Sequence, residues 1–197
     1  MASFSCTHLC HQLIVPHGHG NLIPIIFLRK FHILLPGDTM NKRNWKTYAF
    51  WILLSEGVGV LSGWLTRDGA QYFSQSVAQP PLSPPAIVFP IVWGILYLLM
   101  GISAARISLT PAGSDRSWGL NLFVLQLIVN FFWSPIFFNI RSYSLAFFWL
   151  LLLWLLVFFM IRAFCSVDPP AAKLQIPYLI WLSFALYLCA GVWYLNS

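Results

Sequence analysis

The sequence predicts an all-α integral membrane protein, a single bundle of five transmembrane helices that fills nearly everything after residue 40. Its 197 residues are 59% hydrophobic and only 8% charged, whereas soluble globular chains are about 25% charged. Because so few charges cannot coat a water-facing surface, lipid is the expected solvent for most of the chain. The net charge of +6 is spread singly between apolar runs, unlike the basic stripe with interleaved aromatics that binds nucleic acid.

Five apolar segments are each long enough to cross a hydrocarbon core, which needs about 20 helical residues. Unpaired backbone groups are not tolerated in hydrocarbon, so helices are the expected conformation. A proline-rich stretch before the second segment delays its start, and Pro85 suits a first helical position. The predicted spans cover about residues 48–65, 86–105, 119–140, 145–161 and 174–195.

Residues 1–39 differ from the rest of the chain. Their short apolar stretch, ended by Arg29 and Lys30, cannot span a membrane. It does not resemble a signal peptide either, because no basic region precedes a long apolar core. We expect residues 1–39 to be an N-terminal extension, either disordered or preceding the true start of translation at Met40. Residues 40–197 are then the membrane domain.

The distribution of basic residues predicts the orientation of the bundle. Cytoplasmic loops of membrane proteins carry an excess of Lys and Arg. Here only Arg67 and Arg141 lie on the side of the loop at about 66–85, the longest predicted connection. The other side has seven basic residues: Lys42, Arg43, Lys46, Arg106, Arg116, Arg162 and Lys173. The N-terminus is therefore expected in the cytoplasm and the C-terminus outside.

The sequence contains no familiar catalytic or metal-binding motif. All five histidines precede residue 40, so no histidine can hold a haem inside the bundle. Ser–His–Asp sets, HExxH and phosphate loops are missing. We predict no catalytic residue and no metal site, and we favour a binding protein over an enzyme. Several cysteines and histidines near the N-terminus could in principle bind a metal, but their spacing matches no standard zinc site. They are Cys6, His8, Cys10, His11, His17 and His19.

Several polar residues lie inside the predicted spans. Glu56 is the only acid there, and a carboxylate at membrane depth is costly unless it is paired, protonated or wet. It either faces a functional cavity or donates a hydrogen bond as the protonated acid. Gln126 and Asn130 share one helical face, which Trp133 continues. They either line a cavity or join helices, at about 0.6 kcal/mol per hydrogen bond, and the residues alone favour the second reading.

Aromatic and glycine patterns suggest further contacts. Trp93 and Trp181 lie well inside their segments, where a role as interfacial anchors explains them less well. Ten tryptophans could line a flat apolar pocket. Gly59 and Gly63 form a GxxxG spacing, which permits close helix approach either in a dimer or within the bundle. We favour packing within the bundle.

Three stretches resemble one known family. Residues 84–101, Pro-Pro-Ala-Ile-Val-Phe-Pro-Ile-Val-Trp-Gly-Ile-Leu-Tyr-Leu-Leu-Met-Gly, resemble the second-helix signature of the TspO/MBR family, which includes tryptophan-rich sensory proteins and translocator proteins (peripheral benzodiazepine receptors). Residues 126–134, Gln-Leu-Ile-Val-Asn-Phe-Phe-Trp-Ser, resemble its third helix, and residues 176–185, Ile-Pro-Tyr-Leu-Ile-Trp-Leu-Ser-Phe-Ala, its fifth. The likeness covers about residues 48–196, in the same order.

The resemblance implies a cavity near the outer loop that binds porphyrins and, in animal members, cholesterol and synthetic ligands. Phe89 and Pro90 would shape its entrance with the first loop. The residues implied to line it are Trp93, Gln126, Asn130, Trp133, Trp181 and Ala185.

The sequence departs from the family pattern at several positions. Tyr72-Phe73 stands where a Trp-Tyr pair is frequent, Ile87 where a tryptophan is common, and Gln79 where a lysine precedes the prolines. No basic residue follows Tyr187 to complete the cholesterol pattern. Cholesterol import is therefore not carried over to this chain.

Together these observations predict a membrane-embedded binding protein for tetrapyrroles or similar apolar ligands, acting as a sensor or transporter in tetrapyrrole or stress regulation. No cofactor is required, and porphyrin is the expected ligand. The expected partners are the lipid bilayer, this ligand and a second copy of the chain, with no nucleic acid. The expected location is a bacterial cytoplasmic membrane. The alternatives are a photo-oxidative porphyrin-degrading enzyme and an interaction module with a vestigial pocket.

Overall fold

A computed structural model describes residues 44–197, and all described elements are helical. Five stretches are long and apolar enough to cross a membrane: α1, α2, α3 with the π-helical turn that follows it, α4, and α5 with α6. The predicted five-helix architecture is therefore confirmed. The predictions for residues 1–39 lie outside the described residues. The elements in order are α1 (Asn44–Ser76), α2 (Val88–Ser108), α3 (Ser114–Ser134), the π-helical turn (Pro135–Ile140), α4 (Tyr143–Val167), α5 (Pro169–Leu174) and α6 (Ile176–Leu195).

The first helix is longer than predicted. It has 33 residues, which at 1.5 Å per residue gives about 50 Å, more than a hydrocarbon core of about 30 Å. The loop predicted at 66–85 is correspondingly shorter and occupies residues 77–87. Tertiary packing extends the helix, because Phe73 packs with its ring centroid 5.6 Å from that of Phe138. A Cβ added to Gly69 would lie 2.6 Å from the Phe138 carbonyl oxygen, so the two backbones touch.

The other predicted spans coincide with helices. The largest difference is at the end of the fourth span, which continues from the predicted Ile161 to Val167. The fifth span is divided, since the short helix α5 precedes α6 and Pro177 lies in the first turn of α6. Proline is favoured at this position because the first N–H groups of a helix have no partner within it.

A proline also changes the course of the third span. Pro135 has no N–H and cannot bond to the carbonyl of Phe131, so the α-helical ladder stops there. The chain continues as the π-helical turn. Arg141, the residue after this turn, lies in the left-handed region with φ 59°. The Phe131 carbonyl accepts a hydrogen bond of 3.3 Å from the Ser62 hydroxyl of α1 instead. Proline thus exchanges a bond within the helix for one between helices.

Close backbone contact joins α1 and α2. A Cβ at Gly101 would lie 2.5 Å from the Ile52 Cα and 2.9 Å from the Trp51 carbonyl oxygen. Nearer the 77–87 connection, Gly59 lies directly against the ring of Tyr97. Helices in lipid associate mainly by such packing, for which small residues are suited. Gly59 therefore serves packing within the bundle, the reading favoured for the glycine pair.

An ion pair joins α2 to the connection between α4 and α5. Arg106 Nε donates to Asp168 Oδ2 at 2.7 Å, and Arg106 Nη2 donates to Asp168 Oδ1 at 3.2 Å. The Ser103 hydroxyl donates to the Ala171 carbonyl at 2.8 Å. Such two-pronged pairing fixes the geometry of both groups. The ion pair places Arg106 at the same end of the bundle as the α4–α5 connection. The distribution of basic residues in the sequence likewise predicts Arg106 on the same side of the membrane as Arg162 and Lys173.

Candidate ligand cavity

A cavity of about 720 Å³ lies at the end of the bundle covered by the 77–87 connection. It is bordered by α1, α2, α3 with its π-helical turn, α6 and the connection itself. Most of the lining is apolar, and the polar groups are few. This combination is typical of sites for small ligands, which commonly measure about 300–1,000 Å³.

Seven of the eight residues predicted from the sequence line this cavity. They come from three helices that are far apart in the sequence, α2, α3 and α6, so the fold brings the three family-like stretches together. Whether they bind a ligand stays a prediction. The seven are Phe89, Pro90, Trp93, Asn130, Trp133, Trp181 and Ala185.

Aromatic rings form the cavity wall. The ring centroid of Phe89 lies 5.9 Å from that of Trp181 in an edge-to-face arrangement that links α2 to α6. Trp93 lies 5.5 Å from Tyr97 on the same helix, and Trp133 stacks on Phe137 at 5.1 Å. Such pairs stabilise one another by about 0.5–1.5 kcal/mol beyond area burial. The wall is therefore formed from mutually supported rings.

Gln126, the eighth predicted residue, does not belong to the lining. Its side chain is completely buried and accepts a hydrogen bond of 3.0 Å from the Tyr178 hydroxyl. Asn130 donates to the same hydroxyl at 2.7 Å and accepts one from the Tyr97 hydroxyl at 3.2 Å. Gln126 thus joins α3 to α6, whereas Asn130 both joins the helices and borders the cavity. The sequence left two uses open for this helical face, lining a cavity or joining helices. Gln126 joins helices, and Asn130 does both.

Removing the central hydroxyl of this network should destabilise the bundle. Tyr178→Phe leaves the Asn130 amide and the Gln126 carbonyl without their partner, and an unsatisfied buried polar group costs about 1–3 kcal/mol. We expect the free energy of unfolding in mixed micelles to fall by about that amount. Tyr194→Phe is the matched control, because Tyr194 is 85% exposed. Equal stability of the two variants would show that the network contributes nothing.

The connection over the cavity is fixed to α6. The Asn196 side chain accepts a hydrogen bond from the Ala78 N–H at 3.2 Å and donates to the Ala78 carbonyl at 3.0 Å. The Tyr187 hydroxyl donates to the Pro81 carbonyl at 3.0 Å. Gly191 lies so close to Pro80 that an added Cβ would be 2.5 Å from the proline Cβ. These contacts hold the connection as a cover over the cavity.

Sequence reasoning largely missed the contribution of α1. This helix presents a stripe of mostly small residues to the cavity, and that stripe was visible in the sequence at helical spacing. Tyr72 and Phe73, which stand where the family frequently has a Trp-Tyr pair, have different surroundings. Phe73 borders the cavity, whereas Tyr72 does not and has the Arg141 guanidinium 3.7 Å above its ring. The lining residues of α1 are Glu56, Gly59, Val60, Ser62, Gly63, Thr66, Ala70, Phe73 and Ser74.

The fold defines a five-helix membrane protein with a mostly apolar internal cavity. The TspO/MBR family profile matches residues 51–195, and the chain therefore belongs to the TspO/MBR family. The resemblance seen in three stretches of the sequence is confirmed.

Relatives come from bacteria and animals. The tryptophan-rich protein TspO of Chlorobaculum tepidum is 35% identical over 158 residues, 80% of this chain and 99% of the relative. The translocator protein of Ovis aries is 33% identical over 150 residues, 75% of this chain and 88% of the relative. The tryptophan-rich sensory protein of Cereibacter sphaeroides is 33% identical over 129 residues, 66% of this chain and 78% of the relative.

Proposed function

We propose that this protein binds a porphyrin or a similarly flat, apolar tetrapyrrole in the cavity under the 77–87 connection. The observation that carries the proposal is the aromatic wall, in which Trp93 and Trp181 border the same apolar space. Flat conjugated rings are bound well by aromatic side chains, because offset and edge-to-face contacts add to the burial of apolar area. The cavity volume of about 720 Å³ falls within the range of about 300–1,000 Å³ that is common for small-ligand sites.

Binding of this kind requires no cofactor and no metal ligand from the protein. The sequence has no histidine after residue 39, so stacking and apolar contact, rather than axial ligation by histidine, would hold the ring. The polar groups at the cavity, such as the Asn130 amide, would orient the substituents of the ring. The porphyrin is therefore a ligand rather than a prosthetic group in this proposal.

The physiological role we infer is that of a sensor or transporter in tetrapyrrole or stress regulation. The names of the relatives support it, since one is a translocator protein and another a tryptophan-rich sensory protein. We further infer that the N-terminus lies in the cytoplasm, on the basis of the basic-residue bias, and that the membrane is a bacterial cytoplasmic membrane, which the bacterial relatives support. A homodimer is part of the same proposal.

Replacing either wall tryptophan should weaken porphyrin binding. Trp93→Ala and Trp181→Ala each remove a stacking surface, and losses of about 1.4 kcal/mol correspond to tenfold in the dissociation constant. We expect each variant of the full chain to bind protoporphyrin IX about three- to tenfold more weakly in detergent. The porphyrin absorption band should be followed, because it does not depend on the fluorescence of the tryptophan removed.

Trp118→Ala is the matched control, because Trp118 is 61% exposed and is not part of the cavity lining. Unchanged affinity in both wall variants would contradict the pocket assignment. Light-dependent loss of the porphyrin, abolished by Trp→Phe changes, would support the enzymatic alternative instead. Normal folding without saturable binding would support a vestigial pocket.

A further inference from the structure

Glu56 is the one acidic or basic side chain among the described residues that border the cavity. The rest are apolar, aromatic or neutral polar. Helix α1 runs towards the 77–87 connection, and Glu56 is the first of its residues to border the cavity. The Glu56 side chain, which is half-buried, therefore lies at the end of the cavity away from the 77–87 connection, about one helical turn before the contact of Gly59 with Tyr97.

Within residues 44–197, no basic side chain pairs with Glu56. The neighbouring Tyr97 hydroxyl donates to Asn130 instead. At the same end of the bundle as the connection, Arg67 forms an ion pair of 3.4 Å with Asp68. Arg141 lies over the Tyr72 ring at 3.7 Å. Both of these cations therefore have partners other than Glu56.

An unpaired carboxylate beside a low-dielectric cavity acts strongly on any charge that enters. Removal from water is costly for the ion, and the same low dielectric strengthens its attraction to a cation and its repulsion of an anion. A ligand with an ammonium group would supply the partner that the protein lacks. A ligand with carboxylates at its inner edge would bring like charges together.

We propose that Glu56 is a specificity residue that favours flat apolar ligands placing an ammonium group beside it over those placing a carboxylate there. This inference rests on the proposed function, in which the aromatic wall holds the ring of the ligand. The tryptophans contact the faces of the ring without regard to charge, whereas Glu56 contacts a substituent at its edge. Ring binding and charge selection therefore belong to different residues and can be measured separately.

Three probes with the same ring separate the two properties. They are protoporphyrin IX with two carboxylates, its neutral dimethyl ester, and a derivative whose carboxylates are coupled to diamines that end in ammonium groups. In Glu56→Gln, we expect the ammonium probe to bind about tenfold more weakly, which is 1.4 kcal/mol. The dicarboxylate should bind several-fold more tightly and the ester unchanged. Dissociation constants are measured by absorption titration of the full chain in detergent.

Asp68→Asn is the matched control, since it removes an acid from the same helix whose side chain is 91% exposed. Asp68→Asn should leave the dissociation constants of the three probes in the same order as in the unaltered protein. If Glu56→Gln changes the dissociation constants of all three probes equally, or changes none of them, charge selection by Glu56 is overturned while ring binding stands. If the unaltered protein binds none of them saturably, the proposed function itself fails, and this inference with it.

Discussion

Gly101→Val is expected to prevent the bundle from assembling. At Gly101 the backbones of α1 and α2 touch, and an added Cβ would lie 2.5 Å from the Ile52 Cα. The obstructing atoms are main-chain atoms, so no side-chain rotation relieves the clash. Overpacking of this kind costs about 1–3 kcal/mol and sometimes more, and here the helices have to separate. We expect little folded protein after extraction, measured as the monodisperse fraction and its thermal midpoint in detergent.

Gly94→Ala is the matched control on the same helix, because a Cβ at Gly94 meets nothing within 4 Å. Alanine is also the better helix former, by about 1 kcal/mol. Gly94→Ala should therefore fold as well as the unaltered chain. Equal yields and midpoints for the two variants would contradict the close α1–α2 contact.

Gly63→Leu is expected to weaken ligand binding strongly without affecting the fold. Gly63 borders the cavity, and a Cβ there would have no heavy atom within 4 Å. A leucine side chain would therefore extend into the space that the ligand needs and meet no protein atom at its root. We expect the dissociation constant to rise by at least about tenfold, which is 1.4 kcal/mol, with an unchanged thermal midpoint.

Much of the architecture could be predicted because lipid restricts the choices available to the chain. Five apolar segments in a chain with 8% charged residues leave helices as the conformation that pairs every backbone group. The residues of α2, α3 and α6 at the cavity could be named because three separate stretches resemble one family. Their convergence in space follows from the fold, which single segments do not encode.

The extent of α1 could not be predicted from hydropathy. Its last turns contain Arg67, Asp68 and Gly69, which are polar or poor helix formers. Contacts with the π-helical turn hold them in the helix, and that turn exists because Pro135 interrupts α3. Two distant segments thus determine one another's conformation, which no local pattern reveals.

Gln126 illustrates a second limit of sequence reasoning. A polar residue on the face of a membrane helix can border a cavity or join helices, and both uses have the same spacing. The shared partner is Tyr178, 52 positions from Gln126. Its hydroxyl bonds to both Gln126 and Asn130, but only Asn130 also borders the cavity. Only the arrangement of α3 against α6 distinguishes the two residues.

The most direct test of the proposed ligand site compares two glycine-to-leucine variants of α1 in a protoporphyrin IX titration. Gly63→Leu adds a large side chain at a position that borders the cavity. Gly57→Leu adds the same side chain at a position that is likewise exposed and meets nothing within 4 Å, but that does not border the cavity. Saturable binding by the unaltered chain and by Gly57→Leu, with loss in Gly63→Leu, is the predicted result. Equal binding by all three would contradict a ligand site in this cavity.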